Sequence, residues 1–581
     1  MPRARIGDLD ELRAKGCLSG KVGSQPVCVF WSDGTAYAVD DRCPHMGFPL
    51  HRGTVENGLL TCHWHHARFD LVSGGTLDPF ADDVRAHEVE LDGSDVFVVT
   101  RTEPDLVGHH LRRLQEGLEH GLTLVTAKAV LALLDLLGPD AGAEAAVRSG
   151  IEFGVGYREA GWGTGLTVLT AMANILPVLD PSDRALALVH GLAFVSRDTR
   201  GRPPRFPLSP LEGAIPMARL QSWYRRFVDT RNGDAAERIL ATAAASGADE
   251  SALAALAGAA VTDHAFIDGG HTIDFTNKAF EALAHLGSEQ RTAILPTLAQ
   301  QTASASRSEE TGAWRHPYDL AGILTAVRAE DAEAERSAVS DNDGFDGDDD
   351  VEALAWSALG DEPSEIVAIL DHAYRRGATY EQLARAVAYA AGLRLLRFHV
   401  QNDHGDWDVV HHGFTAANAT HQMILRAPTV EMARGIYQSA LKVFLDRFLN
   451  IPPARLPVHH QLAAASPDLS RLQACWDQEG MVDEAGAIVY GWLHSGGEQA
   501  AVIAALGAAL LAEDAEFHWY QTYEAAVRQV QAWPAGSEPA ALVLAGAARF
   551  LAAHTPTRRE LAQVVRIATR LRRGDALYEE I

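Results

Sequence analysis

Cysteine is scarce in this chain, with five among 581 residues. So few thiols in so long a chain cannot frame a fold with disulfides, which excludes the disulfide-built class of secreted proteins. Long apolar runs are missing too: no stretch of about eighteen uninterrupted apolar residues occurs, so no membrane-spanning helix is expected. The opening MPRARIGDLDELRAKG has basic residues but neither an apolar h-region nor a small-residue cleavage site, and a cytoplasmic location is the expectation. Positive charge is in the minority, with 50 Lys and Arg against 77 Asp and Glu and a formal net charge of -27. Scattered cations on an acidic chain repel phosphate backbones and anionic lipid, which argues against nucleic acid and membrane as partners.

What is present is apolar content: 47% hydrophobic residues with 22% charged, the balance of a well-buried globular protein. The length calls for two or more cores. Residues 1–104 read as short strands between turns. PVCVFWSDGTAYAVD alternates apolar and polar residues around a Ser-Asp-Gly turn, and HEVELDGSDVFVVTR repeats the pattern. From 105 to 581 the period becomes helical, as in AKAVLALLDLLG and TYEQLARAVAYAAGLRLLRFH, with capping boxes expected at Thr379/Gln382 and Thr557/Glu560. The fold class expected is α+β and multidomain: a small antiparallel β domain, 1–104, then a large all-α region, 105–581, with a possible division near 340–350. The Pro-rich RDTRGRPPRFPLSPLEGAIP at 197–216 reads as an ordered crossing loop. The acidic SDNDGFDGDDDVE at 340–352 has Phe345 and Asp346 where a calcium loop needs an oxygen ligand and Gly, so a solvated linker is expected.

The stretch CPHMGFPLHRGTVENGLLTCHWHH, 43–66, gathers two Cys and five His. Cys43-x-His45 and Cys62-x-x-His65 are spaced as the ligands of a Rieske [2Fe–2S] centre, in which thiolates hold one iron and imidazoles the other. Neutral imidazoles leave their iron less negatively charged and easier to reduce. Gly47, the SGG at 73–75 and Pro79 suit loops folded over such a group. Two Cys and two His also suit tetrahedral zinc, but zinc fingers pair like ligands in one knuckle and here Cys and His alternate. On these residues the region 1–104 resembles Rieske ferredoxin-type domains, similar to those of ring-hydroxylating dioxygenase systems. The cytochrome bc members carry further cysteines that form a disulfide; Phe48 and His63 stand about where that pair would be sought. The resemblance therefore implies a low-potential, ferredoxin-like or oxygenase-like centre. His51, His63 and His66 have no ligand position in the family and read as loop or surface residues.

In ring-hydroxylating oxygenases a mononuclear iron sits in a D-x₂-H-x₄-H signature. Here Asp408-x-x-His411 is followed by Ala416, so that partner domain is not expected. The helical region is nonetheless rich in His. DGGHTIDFTNKAFEAL around His271, DVVHHGFTAANATHQMIL around His411 and His412, and EDAEFHWYQTYEAAV around His518 each place an acid, Asp268, Asp408 or Asp514, three or four residues earlier. Such spacing shares a helix face, the way bundles present iron ligands inward. Yet 25 His among 77 acids produce about that many pairs by chance. His271 with Asn277 and His412 with Asn418 also share the spacing H-x₅-N, which equally suits core histidines bonded to Asn. HHGFTAANATHQMILRAP faintly resembles the His-bearing repeats of questin oxidase-like proteins, which oxidise polyketide quinones. His316 reads as a helix boundary before Pro, and His459 and His460 as surface.

Three functions follow as expectations. The first is an oxidoreductase: Cys43, His45, Cys62 and His65 hold a [2Fe–2S] cluster fed by an NAD(P)H-dependent reductase or ferredoxin. His271, His412 and His518, with Asp514, form a candidate second non-haem iron site acting with O₂ on a small organic substrate. The second is an electron-transfer module on a non-catalytic helical scaffold. The third is a cluster-based redox sensor.

Overall fold

The computed structural model describes residues 2–100, 105–158, 160–265, 267–311, 318–327, 344–345, 347–402, 404–457 and 468–578. His316, His459 and His460 lie outside these, as do 340–343 and 346 of the acidic stretch. Nine strands lie between Arg3 and Val99, and every described helix but one short one and a 3-10 turn comes after them, the α+β order expected.

The strands are β1 (Arg3–Asp8), β2 (Cys17–Val22), β3 (Gln25–Ser32), β4 (Thr35–Asp40), β5 (Thr54–Glu56), β6 (Leu59–Thr61), β7 (Arg68–Asp70), β8 (Ala86–Asp92) and β9 (Asp95–Val99). Six form an antiparallel sheet in the order β1-β9-β8-β4-β3-β2, and β5-β6-β7 form a second. Asp33 and Gly34, both at positive φ, turn β3 into β4 with Ser32 opposite Thr35. A primed two-residue turn of this kind matches the twist of its strands. Strand β3 is buried on both sides. Val27 and Val29 join a core with Leu18, Val96 and Val98, while Cys28 and Phe30 join one with Leu50, Leu60, Phe69 and the two cysteines Cys43 and Cys62. The alternation read in the sequence therefore serves two cores, and one of them contains the candidate ligands.

Compactness does not stop at 104. The chain divides into two units, Met1–Ser149 with Leu561–Ile581, and Gly150–Glu560. In the first, the helix Leu106–His120 is tied to the loop before β8 by Arg113, which donates to the carbonyls of Pro79 (3.2 Å) and Ala81 (2.8 Å). Arg42 donates to the carbonyl of Asp575 at 2.9 Å, and Arg572 pairs with Asp135. These side chains, far apart in sequence, hold helical segments to the β region.

The second unit, Gly150–Glu560, is helical among its described residues. The acidic stretch is not wholly linker: Asp348, Asp349 and Asp350 form the first turn of the helix Gly347–Ser357, where acids favour the positive end of the helix dipole. Asp348 also pairs with Arg385 at 2.9 Å. The Pro-rich loop is anchored by the Arg205–Glu237 pair at 2.5 Å and by Leu211 N–H on Thr242 Oγ1 at 2.9 Å. The capping box at Thr379/Gln382 forms. The one at Thr557/Glu560 does not: Thr557 donates to Glu513 instead, and Asp514 accepts the Glu560 N–H at 2.9 Å.

Candidate functional site

The first constellation sits on two loops of matched geometry. After β4, Cys43 N–H donates to Phe48 O (2.8 Å), and Gly47, at φ +81°, donates back to Cys43 O (2.8 Å). After β6, Cys62 N–H donates to Ala67 O (2.9 Å), and His66, at φ 60°, donates back to Cys62 O (3.0 Å). Each loop thus closes on its cysteine in the same way, with a left-handed residue four positions on. The loops bring Cys43 and Cys62 within hydrogen-bond reach of each other. The rings of His45 and His65 lie 4.8 Å apart, edge to face. Phe80 meets His45 at 4.9 Å from a third loop, and Trp64 meets His65 at 4.5 Å. In that third loop Gly74 stands at φ +77°, where a Cβ would lie 1.9 Å from Val84 O.

The electrostatics suit ligation by thiolate and neutral imidazole. The Cys43 thiol donating to Cys62, with the N–H groups of Trp64 and His65, lowers Cys62 to about 6, while Cys43 is held up as the proton-bearing partner. Burial lowers His45 to about 4, helped by the charges of Lys128 and His65; burial and His66 lower His65. Both imidazoles stay neutral at pH 7. His45 Nδ1 is buried with no hydrogen-bond partner among the described residues, as expected of an atom that a metal satisfies. Two thiolates and two nitrogens of this character fit a [2Fe–2S] group. His51, expected in a loop, is fixed there by Asp41, which accepts from its backbone N–H at 2.7 Å and contacts its Nδ1 at 2.6 Å.

The second constellation lies in the helical unit. His271 opens the helix His271–Leu286, His411 and His412 sit in His404–Arg426, and His518 is second in Phe517–Gln531. Ring nitrogens of His271, His412 and His518 lie within 4.8 Å of one another. His412 Nε2 faces His518 Nε2 at 3.1 Å, and the His271 ring stands edge-on to His412 at 4.5 Å. Gly270 permits this approach, since a Cβ there would lie 2.7 Å from Ala416 Cβ. Burial, then His271 and His518, pushes His412 down to about 2, and burial first pushes His411 well below its usual range.

Of the carboxylates named from spacing, Asp408 and not Asp514 lies with the histidines among the described residues. Asp514 lies before the first turn of its helix and caps the last one at Glu560, so it does not join His518. Asp408, inside the same helix as His411 and His412, reaches His518 Nδ1 at 3.7 Å and His411 Nδ1 at 3.9 Å. Asp268 falls among residues whose side chains are not described. His411 Nδ1 donates to Trp407 O at 3.1 Å, and its Nε2 is buried with no partner among the described residues. The two asparagines serve elsewhere, Asn277 with Glu281 and Arg426, Asn418 with Gln529.

One turn beyond the histidines the same two helices carry a buried ionic cluster that the sequence reading missed. Lys278 donates to Glu281 and Glu524, each at 2.8 Å, and Gln521 donates to Asp274. Burial raises Asp274 to about 7, against the pull of Lys278. A cleft lined by Gly270, Ile273, Ala416, Thr420, Ser439 and Lys442 lies at the start of the His271–Leu286 helix, with none of the three histidines in its lining. Lys128 has a readable signal, a lone cation within an apolar helix, whereas Lys278 stands among Asp274, Asn277 and Glu281 and has none.

Comparison with known proteins bears on the first constellation. A family model described as the Rieske [2Fe-2S] domain matches residues 3–103. The chain is 28% identical over 118 residues to the Rieske domain-containing protein of Homo sapiens, covering 17% of this chain and 75% of that one. Its similarity to apoptosis-inducing factor 3 of Homo sapiens, 30% over 79 residues, covers 13% of each. With the 3-phenylpropionate/cinnamic acid dioxygenase ferredoxin subunit of Shigella boydii serotype 4 it is 31% identical over 81 residues, covering 13% of this chain and 76% of that subunit.

Proposed function

Through residues 3–103 the chain belongs to the Rieske [2Fe–2S] family, and from that premise we propose that it is an oxidoreductase that joins electron transfer to oxidation of a small organic substrate by O₂. Cys43, Cys62, His45 and His65 are the residues that would hold the cluster, which when bound supplies a one-electron couple. His65 is exposed, which gives an external donor a short path to that couple. Similarity to a dioxygenase ferredoxin subunit favours an NAD(P)H-dependent reductase or a ferredoxin as the donor.

The reading of the helical unit rests on one observation: three imidazoles from three helices converge within 4.8 Å. Burial keeps His412 neutral. Three such nitrogens are a donor set for a divalent metal such as iron, and a redox metal is what lets O₂ react with a closed-shell molecule. Asp408 behind His518 Nδ1 fixes the ring and its tautomer, the usual task of a carboxylate behind a metal-binding His. Ile273, Ala416 and the Thr420 and Ser439 hydroxyls offer a small, mainly apolar substrate a cleft with few polar anchors.

Metal analysis with EPR of the dithionite-reduced protein tests the proposal. More than two irons per chain, with the excess lost in His271→Ala, His412→Ala or His518→Ala while the cluster signal stays, supports it. Two irons per chain would leave an electron-transfer module on a helical scaffold.

A further inference from the structure

Lys128 lies beyond the residues matched to the family, in the apolar helix Thr123–Leu137. Its ammonium donates to the carbonyl of Pro44 at 2.8 Å and to that of His45. Those two carbonyls belong to the peptide groups whose N–H ends are on His45 and Met46. The same two N–H groups donate to Cys43 Sγ. The lysine therefore pulls on the oxygen end of each peptide whose nitrogen end is directed at the ligand sulfur.

Hydrogen bonds in series polarise one another, so a cation on the carbonyl makes the N–H a stronger donor to sulfur. Hydrogen bonds to ligand sulfurs and nearby positive charge both favour the more negative, reduced form of an iron–sulfur group. The surrounding charges leave this effect standing. Asp82, the carboxylate whose charge acts on Lys128, is already engaged by Arg113 at 3.2 Å and His109 at 3.2 Å, while Arg42 and Arg113 add positive charge.

We infer that Lys128 is a positioning residue that sets the cluster's reduction potential, acting through the Pro44–His45 and His45–Met46 peptides on Cys43. The inference rests on the cluster assignment but not on the metal site of the helical unit. It places a determinant of the potential outside the ligand loops, in an element this chain adds to the family's domain.

An EPR-monitored redox titration of the full-length holoprotein at fixed pH tests it. Poised at the wild-type midpoint, where half the clusters are reduced, Lys128→Met is expected to show a roughly tenfold lower ratio of reduced to oxidised cluster. For a one-electron couple that corresponds to a midpoint about 59 mV lower. Lys128→Gln, which keeps N–H donors but no charge, is expected between the two, and Lys128→Arg close to wild type. A merely structural clamp would change cluster retention without this ordering. Should Lys128→Met fail to assemble a cluster, Gln and Arg variants with equal midpoints overturn the inference, as does a wild-type midpoint in Lys128→Met. Absence of any Rieske signal in the wild type would instead defeat the cluster assignment itself.

Discussion

His412 and His518 face each other through their Nε2 atoms at 3.1 Å, and Gly270 lets the start of the His271 helix approach the His412 helix, where a Cβ would lie 2.7 Å from Ala416 Cβ. Two imidazole nitrogens at that distance cannot both turn lone pairs on each other: either a proton lies between them or a metal takes both. With Asp408 Oδ1 at 3.7 Å from His518 Nδ1, the carboxylate favours the proton on Nδ1 and leaves Nε2 free to ligate.

Asp408→Asn is therefore expected to weaken metal binding in the helical unit by about 10–100-fold without abolishing it, the range for an outer partner of a ligating His. His518→Ala removes a nitrogen outright and should abolish binding. Titration of the apoprotein with ferrous iron or cobalt, read by absorbance or calorimetry, ranks the two variants; equal affinity in Asp408→Asn and wild type would remove the carboxylate from the site.

Gly74 offers a test of the loop that carries Phe80 to His45. Alanine there meets both the strain of a positive φ and a Cβ 1.9 Å from Val84 O. The cost expected is at least about 1–3 kcal/mol. Thermal unfolding followed by cluster absorbance should show earlier bleaching in Gly74→Ala, whereas Gly58→Ala, with open space around its Cβ, should lose less.

Lys278 is fully buried between Glu281 and Glu524. Replacement by Met leaves two buried carboxylates without their ammonium and is expected to cost about 3–5 kcal/mol. Urea unfolding measures it. Replacing Lys278, Glu281 and Glu524 together by apolar residues should cost less than the single change, because the charge then left without its partner is that of the half-exposed Arg528, which pairs with Glu524 at 3.2 Å.

The pH dependence of stability has a signature in Asp274. Burial holds its folded pKa near 7, well above the value of about 3.9 for an unfolded Asp. Between these values the folded state keeps a proton that the unfolded state has lost, so this group subtracts stability as pH rises from about 4 to 7 and by a constant amount above. Asp274→Asn keeps an acceptor for Gln521 and removes the titration. The variant should gain on wild type progressively from pH 5 to 8 in denaturant midpoints; a constant difference across that range would contradict the buried proton.

The four residues proposed to hold the cluster could be read together because they come from two loops within 23 residues, where spacing constrains geometry. The histidines of the helical unit were legible only as residues. Asp408 is inside its helix, so three- and four-residue spacing there means one face; Asp514 precedes its helix, so the same spacing means nothing. Lys128 and Arg113 escaped for another reason. Their partners are backbone carbonyls more than thirty positions away, and carbonyls carry no sequence identity. The boundary at 104 marks where strands give way to helices, a change of local grammar that long-range hydrogen bonds ignore.

Tyr578 stacks edge-on to Phe48 at 5.4 Å and approaches Trp64 at 6.2 Å, so the last described residue touches the rims of both ligand loops. The unit that holds the cluster is thus assembled from segments more than four hundred residues apart, Met1–Ser149 and Leu561–Ile581. During synthesis, the first hundred residues leave the ribosome long before the segment that covers their redox group. Cluster insertion can begin on an open nascent domain, and the aromatic contact of Tyr578 arrives only after the intervening helical residues have been made.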